Sequence, residues 1–168
     1  MHTRRPPARA ASSCGVRVPL RSRRHRQRSH PERPMPFNIN HIHMKAHDPK
    51  AVADWWVNAF NFTIVSDTVR DVGDRFVACR SENGITVNIS GARTNETLGP
   101  GDANAHEGLE HFGFDSDNLE ADLARLTALG AVVLQAPPPP STPPVQRICF
   151  IRCPDNVRIE LIQRPPAA

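Results

Sequence analysis

Three residues able to bind a metal ion recur in the same setting at three separated places. His41 lies in Ile39-Asn40-His41-Ile42-His43-Met44-Lys45, His111 in Leu109-Glu110-His111-Phe112-Gly113-Phe114-Asp115, and Glu160 in Val157-Arg158-Ile159-Glu160-Leu161-Ile162. Side chains alternate faces along a strand, so residues two apart share a face. The flanking pairs Ile42 and Met44, Phe112 and Phe114, and Ile159 and Leu161 are apolar and belong in a core. His41, His111 and Glu160 therefore turn to the opposite face. Two neutral imidazoles and one carboxylate are the ligand set of a mononuclear divalent-metal site with open positions. His43 shares the face of His41, and a histidine can titrate near neutrality and move a proton. The residues predict a small metalloenzyme, with His41, His111 and Glu160 as ligands and His43 and Glu160 as the catalytic groups. Read by itself, His43 is equally an alternative ligand or a polar residue lining the site.

The elements that must position these groups repeat. A strand over 38–46 is followed by Asp48-Pro49, an N-cap with proline at the first helical position. Val52, Trp55, Trp56, Ala59 and Phe60 give a helix over about 49–60. Strands follow at Phe62–Arg70, Arg75–Arg80 and, after the Asn83-Gly84 turn, at Ile85–Ser90. Residues 91–107 read as a linker. The order then returns: a strand over Leu109–Asp115, a helix capped by Asp117 with Leu119, Leu123, Leu126 and Leu129 on its apolar face, and a stop at Gly130. Strands follow at Val132–Gln135, Gln146–Arg152 and Val157–Gln163, with a stiff exposed loop of six prolines over Ala136–Pro144. His41 precedes the capping Asp48 by seven residues and His111 precedes Asp117 by six. The pattern predicts an α+β domain over 35–166 made of two tandem βαβββ modules, about 37–90 and 108–164.

Charge divides the chain. Residues 1–34 carry ten arginines and one acid, a net of +9, and the remainder carries −5, which together give the formal +4. The basic character belongs to the leader and defines no nucleic-acid face on the folded part. Three readings compete for that leader: a disordered basic arm, an organelle transit peptide, or a start-site artefact with translation beginning at Met35. No apolar run reaches the length of about 18 to 20 residues that a membrane span needs. Cys14, Cys79, Cys149 and Cys153 form no CxxC pair, so free thiols in a reducing cytoplasm are expected. Trp56 is expected between helix and sheet and Trp55 at a subunit boundary. His47 and His106 are expected on the surface. Arg75, Arg80, Arg147 and Arg152 lie on strands lining the site, where one of them is a candidate to hold an anionic substrate.

Asn40-His41-Ile42 with Asp48 seven on, Glu110-His111-Phe112-Gly113-Phe114, and Pro154-Asp155-Asn156-Val157-Arg158-Ile159-Glu160-Leu161 occur in order at the separations of one known group. Over residues 37–164 the chain resembles the vicinal oxygen chelate superfamily. That group includes glyoxalase I, extradiol dioxygenases, fosfomycin resistance proteins, methylmalonyl-CoA epimerase and the metal-free bleomycin resistance proteins. The resemblance implies the glyoxalase/dioxygenase fold, a cup-shaped curved sheet with helices outside and one divalent ion (Zn, Mn, Fe, Co or Ni) at its base. It implies a small-molecule substrate that chelates the ion through vicinal oxygens, a homodimer, and lyase or isomerase chemistry. Extradiol ring cleavage and non-catalytic antibiotic binding are the alternatives. Two departures stand out. Where glyoxalase I carries a fourth, carboxylate ligand, this chain offers Thr86 or Asn88, and it has no tyrosine, which extradiol dioxygenases and fosfomycin resistance proteins use near the site.

Overall fold

Element order follows the repeat. In the computed structural model, which describes residues 38–166, the order is β1 (His41–Lys45), α1 (Pro49–Phe60), β2 (Thr63–Val69), β3 (Arg75–Arg80), β4 (Thr86–Ser90), β5 (Phe112–Asp115), α2 (Leu119–Ala128), β6 (Val132–Gln135), β7 (Arg147–Arg152) and β8 (Arg158–Gln163), with a 3-10 turn at Pro154–Asn156. The leader of residues 1–34, Cys14 within it, lies outside the described residues. Among the described residues no helix is long and apolar enough to cross a membrane.

Local chemistry explains the helix starts. The Asp48 carboxylate accepts from the amides of Lys50 and Ala51, both at 3.1 Å, and Pro49 needs no donor there. The cap of α2 is Asn118, not the expected Asp117. Asn118 is extended and its side chain accepts from the Ala121 amide at 3.0 Å, while the Asp117 carbonyl accepts from the Gln163 side chain at 2.7 Å. With Asn118 as the cap, the histidine-to-cap spacing becomes seven residues in both modules. Gly130, at φ +95, closes α2 as expected.

The sheets repeat too. One has the order β1-β4-β3-β2 and the other β5-β8-β7-β6; β1–β4 and β5–β8 run parallel and the other pairs antiparallel. Ile42 pairs with Val87 as Phe112 pairs with Ile159. His41 and His111 are thus counterparts, as are Thr86 and Arg158, Asn88 and Glu160, and His43 and Gly113. On the helix side, Val77, Cys79, Val87 and Ile89 of one sheet and Cys149, Ile151, Ile159 and Leu161 of the other are buried with Trp56, Leu119 and Leu126 in a single core. The opposite faces stay open, and β6 is exposed throughout.

Aromatic rings join the modules. Trp56 stacks on Phe112 with centroids 5.8 Å apart, and Phe60 stacks on Phe114 at 4.2 Å. Trp55 donates to the Leu129 carbonyl at 2.8 Å, so its indole ties α1 to the end of α2 within the chain. The linker is seated rather than loose: Ala103 is buried, and a Cβ placed on Gly101 would sit 2.2 Å from the Asp155 carbonyl oxygen.

Candidate functional site

The second sheet assembles the site. The first residue of β5 is Phe112 rather than Leu109, so His111 sits one step ahead of the strand, where its ring is freer to turn toward β8. Phe112 and Phe114 face the Trp56 cluster, and Glu160 lies between the buried Ile159 and Leu161 on β8. Alternation thereby sends His111 and Glu160 to the same open face, as expected. His111 Nε2 lies 3.4 Å from Glu160 Oε2. Two donors each about 2.1 Å from a tetrahedral ion stand about 3.4 Å apart, so this pair fits two positions of a divalent metal.

The ring orientation suits the same purpose. His111 Nδ1 hydrogen-bonds the Glu110 carboxylate, which leaves Nε2 toward Glu160. In the first sheet His41 Nδ1 hydrogen-bonds the Asn40 side-chain oxygen in the same way. Each histidine is oriented by the residue just before it, the usual service of an outer partner to a ligating imidazole. The Glu110 carboxyl is held below its ordinary range by the His111 hydrogen bond first and by Arg158 as a further cause.

The structure does not gather all three expected ligands within one chain. Among the described residues, no group of three His, Cys, Asp or Glu is placed to hold a metal ion. His41 stands exposed on β1, in the other sheet from the His111–Glu160 pair. His43 shares that face. Its Nε2 lies 2.9 Å from Ser90 Oγ, and its ring meets the Phe76 ring edge-on at 5.5 Å. Burial, then Lys45, His41 and Arg70, lower its pKa below the ordinary histidine value.

A cleft of about 700 Å3 runs between the edges of β1 and β5, walled by Lys45, Pro100, Asp102, Glu110, His111 and Arg158. The exposed His106 bridges the carbonyls of Asn104 and Leu109 beside it, and His47 is exposed. Of the arginines proposed to hold an anion, Arg75 is paired with Asp67 and Arg147 with Glu120; Arg80 and Arg152 are exposed. The arginine that reaches the site is Arg158. It and Glu110 were missed, although Arg158 is two residues before Glu160 on the same strand and Glu110 adjoins His111. Burial raises the Cys79 and Cys149 thiols to about 11 and pushes Cys153 higher still, so none is a ready nucleophile.

Comparison with known proteins agrees with this frame. The family model for the Glyoxalase/Bleomycin resistance protein/Dioxygenase superfamily matches residues 38–161. The chain belongs to that superfamily. A glyoxalase family protein from Bacillus cereus superposes with a TM-score of 0.67 at 12% identity, covering 82% of this chain and 100% of that one. The fosfomycin resistance protein FosX from Listeria monocytogenes, solved with Mn(II) and sulfate, gives a TM-score of 0.55 at 17% identity over 75% of this chain and 91% of its own. Glyoxalase I from Zea mays gives 0.58 at 18% identity over 77% of this chain, which spans 46% of that longer protein. At these identities the likeness is one of fold. No curated protein matches by sequence.

Proposed function

We propose that the chain is a metal-dependent enzyme of the glyoxalase type, carrying out lyase or isomerase chemistry on a small molecule with vicinal oxygens. The observation that carries this is the His111–Glu160 pair, 3.4 Å apart on an open face with the imidazole already oriented by Glu110. A divalent ion held there supplies a Lewis acid that polarises a substrate carbonyl and stabilises oxyanion charge. FosX, a neighbour in fold, was solved with Mn(II).

His41 completes the ligand set from a second copy of the chain. Two facts support this: His41 is exposed, on the other sheet from the pair, and its Nδ1 is held by Asn40 so that Nε2 remains available. In a symmetric dimer the open face of one chain's first sheet meets the open face of its partner's second sheet, which makes two equivalent sites. His43 lines the same cleft as His111 and takes the substrate proton. Asn88, the counterpart of Glu160, offers an amide where a fourth carboxylate would stand and has no basic group to compete with His43.

Elemental analysis, followed by reconstitution with Zn, Mn, Fe, Co and Ni and a panel of hemithioacetal, catechol and epoxide substrates, tests the reading. One ion per chain is expected, lost in His111→Ala and Glu160→Gln. A wild-type chain that takes up no divalent ion refutes it. Turnover of a catechol alone would move the assignment to ring cleavage.

A further inference from the structure

The surroundings of His111 form a closed circuit of contacts, and metal ligation by itself does not require it. Nδ1 faces Glu110 and Nε2 faces Glu160. A neutral imidazole has one ring proton, so two carboxylates compete for it. The outcome decides whether Nε2 presents a lone pair or an N–H to the open face.

Arg158 stands behind the nearer carboxylate. Its Nε lies 3.1 Å from Glu110 Oε1, although not aligned for a hydrogen bond, so the contact is one of charge. Its Nη1 donates to the Ala103 carbonyl at 3.0 Å, which anchors it to the seated linker. The guanidinium lies 4.3 Å over the Phe150 ring, and that ring meets the His111 ring edge-on at 5.1 Å. Arg158 is thus fixed on three sides, and its side chain is only 14% exposed. Glu110 precedes β5 on irregular backbone and has no strand to fix its side chain. Without Arg158, its carboxylate is free to turn into the cleft. The acceptor then left to His111 is Glu160, at Nε2.

We propose that Arg158 is a positioning residue: by holding Glu110 against Nδ1, it keeps the His111 proton there and leaves Nε2 unprotonated toward Glu160. The purpose of this rests on the metal reading above, which needs a lone pair at Nε2. The arrangement of the proton does not, because it is set by Glu110, Glu160 and Arg158.

The test uses metal-free full-length protein labelled with nitrogen-15 at histidine. Two-bond proton–nitrogen correlation spectra are recorded above the imidazole titration range, with His111 assigned by its loss in His111→Asn. The wild type should show the proton on Nδ1. Arg158→Met should move it to Nε2 or to an average of the two forms. Arg158→Lys, which keeps a cation near Glu110, should stay nearer the wild type, and Glu110→Ala should match Arg158→Met. Zn2+ affinity should fall about 10- to 100-fold in Arg158→Met. A wild-type proton on Nε2 overturns the proposal. So does a wild-type spectrum in Arg158→Met while Glu110→Ala shifts. Should Arg158→Met fail to fold, the comparison of Arg158→Lys with Glu110→Ala decides: equal shifts overturn the proposal. A wild type that binds no Zn2+ yet follows the expected spectra leaves this inference standing and removes the metal reading alone.

Discussion

Two defective chains should repair each other. His41→Ala removes the ligand on β1, and Glu160→Gln removes the one on β8, in the other sheet. If the site is built between copies, each homodimer of a variant lacks a ligand in both of its sites. Equal amounts exchanged at random give mixed dimers as about half of the total. In a mixed dimer, one site takes His41 from the Glu160→Gln chain and the intact pair from the His41→Ala chain, and the other site takes both defects. One good site of two in half the dimers returns about a quarter of the wild-type value. The measurement is tightly bound metal and turnover after subunit exchange, with native mass spectrometry to count mixed dimers. The amide of Glu160→Gln is a weak donor, so residual metal in the unmixed variants is the baseline. Mixed dimers that form yet recover nothing would refute a shared site.

Other consequences follow from the frame. Trp56 is fully buried and stacks on Phe112 across the modules, so Trp56→Ala should cost about 3–5 kcal/mol, read as a lowered urea midpoint. A loss within error of zero would mean that the aromatic seam does not hold the modules. Gly101→Ala sets a methyl against the Asp155 carbonyl oxygen, a backbone atom that cannot swing aside, so the linker should lift and Ala103 become exposed. Faster amide exchange at Ala103 and Asn104 is the expected signal, and unchanged exchange argues against a seated linker. The Arg70 fork, with Nε 2.8 Å from Asp74 Oδ1, holds the Asp74 carboxyl below its ordinary value. The unfolded chain then takes up that proton more readily, so the stability due to Asp74 is fully present above the unfolded value of about 3.9 and is lost as pH falls through the lower folded value. Urea midpoints of Asp74→Asn should therefore fall less steeply on acidification than those of the wild type; parallel curves would sink this.

What the sequence disclosed was whatever depends on local period. Two-residue alternation around His41, His111 and Glu160 sent all three to the faces away from the helices, and the first helix runs Pro49–Phe60 as its cap and apolar spacing require. At Asp117 and Asn118 two adjacent residues are about equally good caps, and the sequence does not separate them. The choice fell instead to the Asp117 carbonyl, which is committed to Gln163 forty-six residues away. Site geometry was legible only where strands are neighbours. His111 and Glu160 meet because β5 and β8 pair in parallel, an outcome implied by the βαβββ order. The position of His41 relative to them depends on how sheets or copies associate, and no spacing within the chain encodes that. Arg158 went unnoticed for another reason: its meaning lies in Ala103 and Glu110 of the β4–β5 connection together with Phe150 of β7, which the sequence does not place side by side.

The duplicated frame also explains why one chain presents two unlike halves. At matched positions the first module has Asn40, His43 and Asn88, and the second has Glu110, Gly113 and Glu160. The second thus sets carboxylates beside its histidine, with Arg158 opposite Glu110, while the first sets amides beside its own. Two carboxylates flank the imidazole of the second module, whereas a side-chain amide oxygen meets that of the first. Gly113 contributes by what it lacks. A side chain there would begin 3.5 Å from Glu160 Oε2 and grow into the space beside it, whereas its counterpart His43 extends into the corresponding space of the other sheet. With an imidazole at one matched position and open space at the other, the two faces are not interchangeable, and divergence of the modules has given each its own chemistry.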